Sequence, residues 1–330
     1  MTLHPVSQFS RAILCLALGM SLPSAMHGSN TTYTADAPAL KTQGPRTSGP
    51  VSVSLQNEVN AAIDRGREWL MAQQNADGSW GTNSWSTNYS PRVKDTALAT
   101  LALLHDATAP QRAAALRGAH WLTTTPASET SDELPTTLAA WRLLALRVAA
   151  TMDTSITVPL VTAKSVAVGL MHQAITPMHG MLLRELGLSV TNKLFNSFSD
   201  DLMSKCMLAM AQPSDGTQTH LLSQVAARWP AFRKAFAQEK KNGHALAAWV
   251  FARYINRAGG GTLADANGTV VDWRNDLAVE FVSSQTMDAN GGGGFWGRRF
   301  DPSSPIDQSS SVCPNPITET AFALLALDEL

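Results

Sequence analysis

From Val51 onward, apolar side chains recur at the three- and four-residue spacing of a helix face, and no run alternates every second residue. The body of the chain is therefore predicted to be all-α. Its helices fall into two alternating kinds. Asp95-Thr96-Ala97-Leu98-Ala99-Thr100-Leu101 and Glu319-Thr320-Ala321-Phe322-Ala323-Leu324-Leu325 share an acid-Thr-Ala start followed by small and apolar residues on nearly every side. Thr136-Thr137-Leu138-Ala139-Ala140-Trp141 and His244-Ala245-Leu246-Ala247-Ala248-Trp249 follow the same template. A helix apolar all round belongs inside a fold, so these four are predicted to form an inner layer.

The other kind precedes each inner helix and ends at a glycine turn. Arg67 to Gln74 runs into Asn75-Ala76-Asp77-Gly78, Met207 to Gln212 into Asp215-Gly216, and Val279 to Gln285 into Asn290-Gly291. Glycine accepts the left-handed backbone that stops a helix, with Asn and Asp next best. The predicted repeating unit is thus outer helix, turn, inner helix. About five such hairpins are expected: Ser54 to Asp106, Pro110 to Ala150, Ser155 to Phe195, Ser199 to Arg257 and Asp272 to Leu330. A hairpin with one buried helix must stack on its neighbours, either in an open superhelix or in a closed ring.

The first residues break this pattern. Ala12 to Leu22 is an apolar run too short to span a bilayer, preceded by Arg11 and followed by Pro23-Ser24-Ala25. Residues 1–28 are read as a secretory signal peptide and 29–53, rich in Thr, Ser, Pro and Gly, as a flexible leader before a domain over 54–330. The expected location is periplasmic or secreted, with no membrane span once the signal is removed. With 44% hydrophobic residues, 15% charged residues and a formal net charge of −1, the chain has no basic run to neutralise phosphates, so nucleic acid is not an expected partner. Cys206 and Cys313 are too few for a zinc cluster, and Phe232 to Lys241 reads as an amphipathic insertion with a solvated charged face.

Gln74-Asn75-Ala76-Asp77-Gly78-Ser79-Trp80 fits a Gln-x3-Gly-x-Trp repeat. In this the chain resembles the squalene and hopene cyclases, and more broadly the terpenoid cyclase and protein prenyltransferase superfamily. The resemblance covers roughly Ser54 to Leu330 and implies an α/α toroid, helical hairpins closed into a ring. It also implies that the Gln and Trp tie outer-helix ends to the next turn, and that function sits where the inner helices begin. There a cyclase carries Asp-x-Asp-Asp before Thr-Ala, whose middle acid protonates an alkene or epoxide. This chain has Arg92-Val93-Lys94-Asp95 instead. An ammonium at the donor position is too weak an acid for that step, and Arg92 and Lys94 are expected to keep Asp95 ionised. The Asp, Cys and His that hold zinc in the prenyltransferases are not matched at these helix starts either, so neither metal nor cofactor is expected.

What remains is a set of candidates at one end of the inner helices. Asp95, Glu319 and His244 are the groups able to exchange a proton; Lys94, Trp85, Trp141, Trp249 and Trp296 could meet a ligand. Each also has a plainer reading. An acid at a helix start answers the helix dipole, and a Trp at helical spacing is core. Three functions stay open: a cavity that binds or transforms a hydrophobic, isoprenoid-like small molecule, a non-catalytic periplasmic binding or interaction module, and a carbohydrate-active enzyme using Asp95 and Glu319.

Overall fold

Apolar residues at helical spacing do form helices here. The computed structural model describes residues 51–81, 91–125, 135–156, 177–186, 202–211, 218–238, 244–258, 263–264, 267–268, 270–289, 293–297 and 315–330. They are predominantly helical. The elements are α1 (Val53–Ala72), α2 (Pro91–Leu104), α3 (Ala109–Thr124), α4 (Pro135–Met152), α5 (Pro177–Glu185), α6 (Leu202–Ala211), α7 (Gln218–Gln238) and α8 (His244–Arg257). Then come β1 (Leu263–Ala264), β2 (Val270–Val271), α9 (Trp273–Ser284), β3 (Thr286–Met287), β4 (Gly294–Phe295) and α10 (Pro316–Leu327). The strands pair antiparallel, β1 with β2 and β3 with β4, and serve as turns between helices. The signal segment, leader residues 29–50, Trp85 and Cys313 lie outside the described residues, whereas Ser52 and Val53, assigned to the leader, open α1.

Helix starts follow local rules. Ser52 accepts the Leu55 N–H at 3.3 Å to begin α1, and Gln111 Oε1 accepts the Thr108 N–H at 2.9 Å at the head of α3. Asn315 accepts the Ile317 N–H at 3.0 Å to begin α10, with Pro316 in the first turn, where its missing N–H costs nothing. In α2, every residue from Asp95 to Leu104 is buried, as are ten consecutive residues of α10, Thr318 to Leu327. The small and apolar composition of both sequences allows this.

Packing among the buried helices runs α2 on α4, α4 on α5, α5 on α6, α6 on α8, α8 on α10 and α10 on α2. Outside them, α3 packs on α2 and α4, while α1 packs on α9, on α10 and on the strand β4. The last hairpin therefore touches the first. No helix among the described residues is long and apolar enough to cross a membrane.

The fourth predicted hairpin is more elaborate than expected. Between α6 and α8 the presumed insertion is a 21-residue helix, α7, and α6 packs chiefly on α5 and α8. The charged residues Arg233 and Lys234 of α7 are exposed, as expected, while its apolar side is packed. Trp229 and Phe236 are buried, Phe232 meets Phe251 edge to face, and Arg233 reaches Asp276 at 2.6 Å on α9. Sequence periodicity marked the insertion as amphipathic but could not show that α9 supplies the partner charges.

Candidate functional site

Two stretches, far apart in sequence, build the same joint. In the first, the Gln74 amide donates to Gly78 O and to Ala114 O, both at 2.8 Å. The Trp80 indole donates to Leu70 O at 2.6 Å, the Trp80 backbone N–H donates to Thr96 Oγ1 at 2.9 Å, and the Trp80 ring lies against Gly118 of α3. In the second, the Gln285 amide donates to Ala62 O at 2.8 Å, and the Trp296 indole donates to Phe281 O, also at 2.8 Å. Its backbone N–H reaches Thr320 Oγ1 at 3.0 Å, and its ring lies against Gly66 of α1. Arg117 and Arg65 donate to the amide oxygens of Gln74 and Gln285 respectively. Trp296 is thereby committed to packing and to a helix-end carbonyl.

Each Trp is followed by a glycine at positive φ, Gly81 and Gly297, and these two glycines press on Asp95 and Glu319. A β-carbon on Gly81 would sit 2.6 Å from Asp95 Oδ2. The repeat thus positions both acids. Asp95 starts the buried part of α2 and accepts from Thr318 Oγ1 at 2.6 Å and from the Asn315 amide, both on the opening turn of α10. Glu319, one residue further, accepts the Ala245 N–H of α8 at 3.4 Å. The starts of α2, α10 and α8 are in this way linked in series by two carboxyl groups.

Both acids are buried, Asp95 completely. Burial raises Asp95 to about 6, outweighing Lys94, Thr318 and Asn315, which favour its anion. Burial likewise raises Glu319 to about 7, against the Ala245 N–H and Lys94. At about 6 Asp95 still loses its proton by neutral pH, but the shift is upward, the reverse of what Arg92 and Lys94 alone would give. Lys94 does act on it, but desolvation is the larger effect, and Arg92 is turned away to Asp77 and Ser79, with its guanidinium 5.1 Å from the Trp121 ring centre. Asp77, by contrast, is brought down to about 2: burial, the largest single effect, raises it, but the hydrogen bonds from Ser79 and Arg92 and the Arg92 charge together outweigh it.

One turn below Glu319, Phe322 meets two of the predicted tryptophans. Ring centres of Trp141 and Trp249 are 5.8 Å apart, and Phe322 lies 5.8 Å from the first and 5.6 Å from the second. All three rings are buried. They come from α4, α8 and α10, so this trio joins three helices one turn along α10 from Glu319. Phe322 was missed by sequence reasoning that looked only at tryptophans; its place three residues after Glu319 was the available signal. His244 opens α8 with its ring 5.8 Å from that of Phe236, next in sequence to Ala245, whose N–H Glu319 accepts.

Ionic networks occupy the opposite helix ends. Arg253 pairs with Glu185 at 2.8 Å and with Glu329 at 2.6 Å, and Arg257 pairs with Glu185 at 2.7 Å. Nearby in sequence, Asp328 is 3.4 Å from Arg67 and 3.1 Å from His105. Among the described residues no group of three His, Cys, Asp or Glu side chains could hold a metal ion. The chain matches no protein-family model, no curated protein and no solved structure.

Proposed function

We propose that the chain is an exported repeat protein of the squalene-cyclase and prenyltransferase type, an α/α toroid that holds an apolar, isoprenoid-like small molecule at the acid-bearing ends of its inner helices without cyclising it. The observation that carries this reading is the buried aromatic cluster of Trp141, Trp249 and Phe322, in which Phe322 lies one helical turn from Glu319 on α10. Support for the toroid comes from the packing sequence α2, α4, α5, α6, α8, α10 and back to α2. The Gln285 and Trp296 joint, which treats α1 as Gln74 and Trp80 treat α3, supports it too.

Binding is favoured over cyclisation on acid strength. Protonating an alkene needs a strong acid in a dry site. Lys94 is an ammonium, Asp95 is clamped by two donors, and Glu319 near 7 is a weak acid. Such groups suit a polar end of a ligand, an alcohol or carboxylic acid, while ring faces meet its apolar body. Glycoside hydrolysis calls for two carboxyls facing across a solvated gap. Here both are buried and each is held by a neighbouring helix start, which disfavours that alternative.

The test is ligand capture. The mature protein is purified, extracted with organic solvent and the extract analysed by mass spectrometry, alongside Trp249→Ala. An apolar lipid-like molecule that is retained by the wild type and lost from the variant is expected. Release of only oligosaccharide, or of nothing after incubation with an isoprenoid alcohol mixture, overturns the reading.

A further inference from the structure

The helix α10 is pinned at both ends by groups that can carry or lose a proton near neutral pH, and it lies against the first hairpin on one side and α8 on the other. At its start, Asp95 of α2 is held by Thr318 and Asn315, and Glu319 is held by the Ala245 N–H of α8. Lys94 is the charged group facing both acids from α2, and His244 stands next to Ala245 on α8. Just past its end, Asp328 meets His105 Nδ1 at 3.1 Å from the end of α2 and Arg67 at 3.4 Å from α1. Asp106 is the second acid beside His105, at 3.8 Å, and Arg67 also donates to the His105 carbonyl at 2.7 Å. His105 and Asp328 side chains are 8% and 4% exposed, so water does little to screen them.

We propose that α10 is a proton-held latch: protons carried by Asp95 and Glu319 at its start, and by His105 beside its end, hold the last hairpin against the first, and their loss loosens that seam. When protonated, the start presents two neutral acids to a buried junction, and the end presents two cations and two carboxylates in charge balance. Without those protons, the start buries two carboxylates with Lys94 as their facing cation, and burial outweighs the Thr318, Asn315 and Ala245 donors that favour the anions. The end keeps two carboxylates for the single cation Arg67. Both changes weaken the same helix.

The direction of the pH effect follows from linkage. Glu319 is raised from an ordinary 4.5 to about 7 and Asp95 from 3.8 to about 6, both by burial. Their protonation therefore stabilises the folded chain fully below the ordinary carboxylate range, and that contribution fades as pH climbs through 6 and 7. His105 is also raised: burial opposes its charge, but the hydrogen bond and charge of Asp328, with Asp106, prevail over burial and Arg67. Its contribution is present below 6.5 and fades above it. All three act in one direction.

Hydrogen exchange of the α10 amides in the full chain, corrected for the intrinsic rate, reads the latch. Protection is expected to fall by at least about tenfold between pH 5 and pH 8, the change one titrating group gives over about one pH unit. The double variant Glu319→Gln with His105→Gln should lose most of that pH dependence, since both side chains then stay neutral. In the wild type alone, the thermal midpoint should fall across the same interval, which keeps the proposal testable if the variant does not fold. Wild-type protection that is unchanged or greater at pH 8 overturns it, as does a folded double variant with the wild-type pH response.

Discussion

The first and last hairpins use one set of parts to make two different connections. Gln74 and Trp80 bind α3, the next outer helix, across 40 residues or fewer of chain. Gln285 and Trp296 bind α1 across more than 220. The donors and acceptors correspond nearly atom for atom: amide to helix carbonyl, indole to the end of the preceding helix, Trp N–H to the threonine of an acid-Thr-Ala start. What differs is the acid. Asp95 is clasped by two side chains of α10, whereas Glu319 reaches one backbone N–H of α8. A repeat can thus fix the position of a residue and leave its chemistry to the neighbour that happens to face it.

That comparison can be broken experimentally. The largest effect is expected from Trp80→Ala and Trp296→Ala, each removing a buried ring and a buried hydrogen bond, at a cost of about 3–5 kcal/mol by calorimetry. If only one of the pair destabilises, the joints are not equivalent. Limited proteolysis should separate them further, because Trp296→Ala ought to expose the last hairpin before the rest of the chain unfolds.

Gly118→Val and Gly66→Val come next. A β-carbon at Gly118 would lie 2.5 Å from the Trp80 ring, and one at Gly66 would lie 2.7 Å from the Trp296 ring. Each substitution is expected to cost about 1–3 kcal/mol, measured by denaturant unfolding. Restoring space with Trp80→Phe in the Gly118→Val background should recover part of the loss.

The two acids should part company at the third level. Asp95→Ala leaves the Thr318 hydroxyl and the Asn315 amide without their acceptor, for a loss of about 1–3 kcal/mol at pH 5. Glu319→Ala should cost less at that pH, because a single N–H at 3.4 Å is released. Equal losses would remove the distinction drawn between them. Smallest of all, Arg117→Ala should change stability by no more than about 1 kcal/mol, since its guanidinium is exposed and the Gln74 amide keeps its two carbonyl acceptors.

Sequence carried the helical character and the joint motif clearly, because both rest on short-range spacing: the period of apolar residues, and Gln to Trp within seven positions in the first joint and twelve in the last. It aligned Asp95 with Glu319 as helix starts, but α2 begins earlier, at Pro91, and carries Asp95 in its second turn, whereas Glu319 lies in the first turn of α10. The partners were illegible. Nothing near Trp296 in the chain names Gly66, and nothing near His105 names Asp328, for these pairs exist only after helices distant in sequence have packed. The upward shift of Asp95 was hidden for the same reason. Neighbouring cations are visible in a sequence, whereas the depth of burial that outweighs them is not.

Asn315 shows how far such packing can narrow a choice between near-synonyms. Its Oδ1 starts α10 by accepting the Ile317 N–H, and its Nδ2 donates to Asp95. At a helix start, asparagine and aspartate are ordinarily interchangeable. Here the aspartate would keep the cap and turn its other oxygen toward a carboxyl already out of water. One side chain thus speaks to two listeners, and only the amide has something for each.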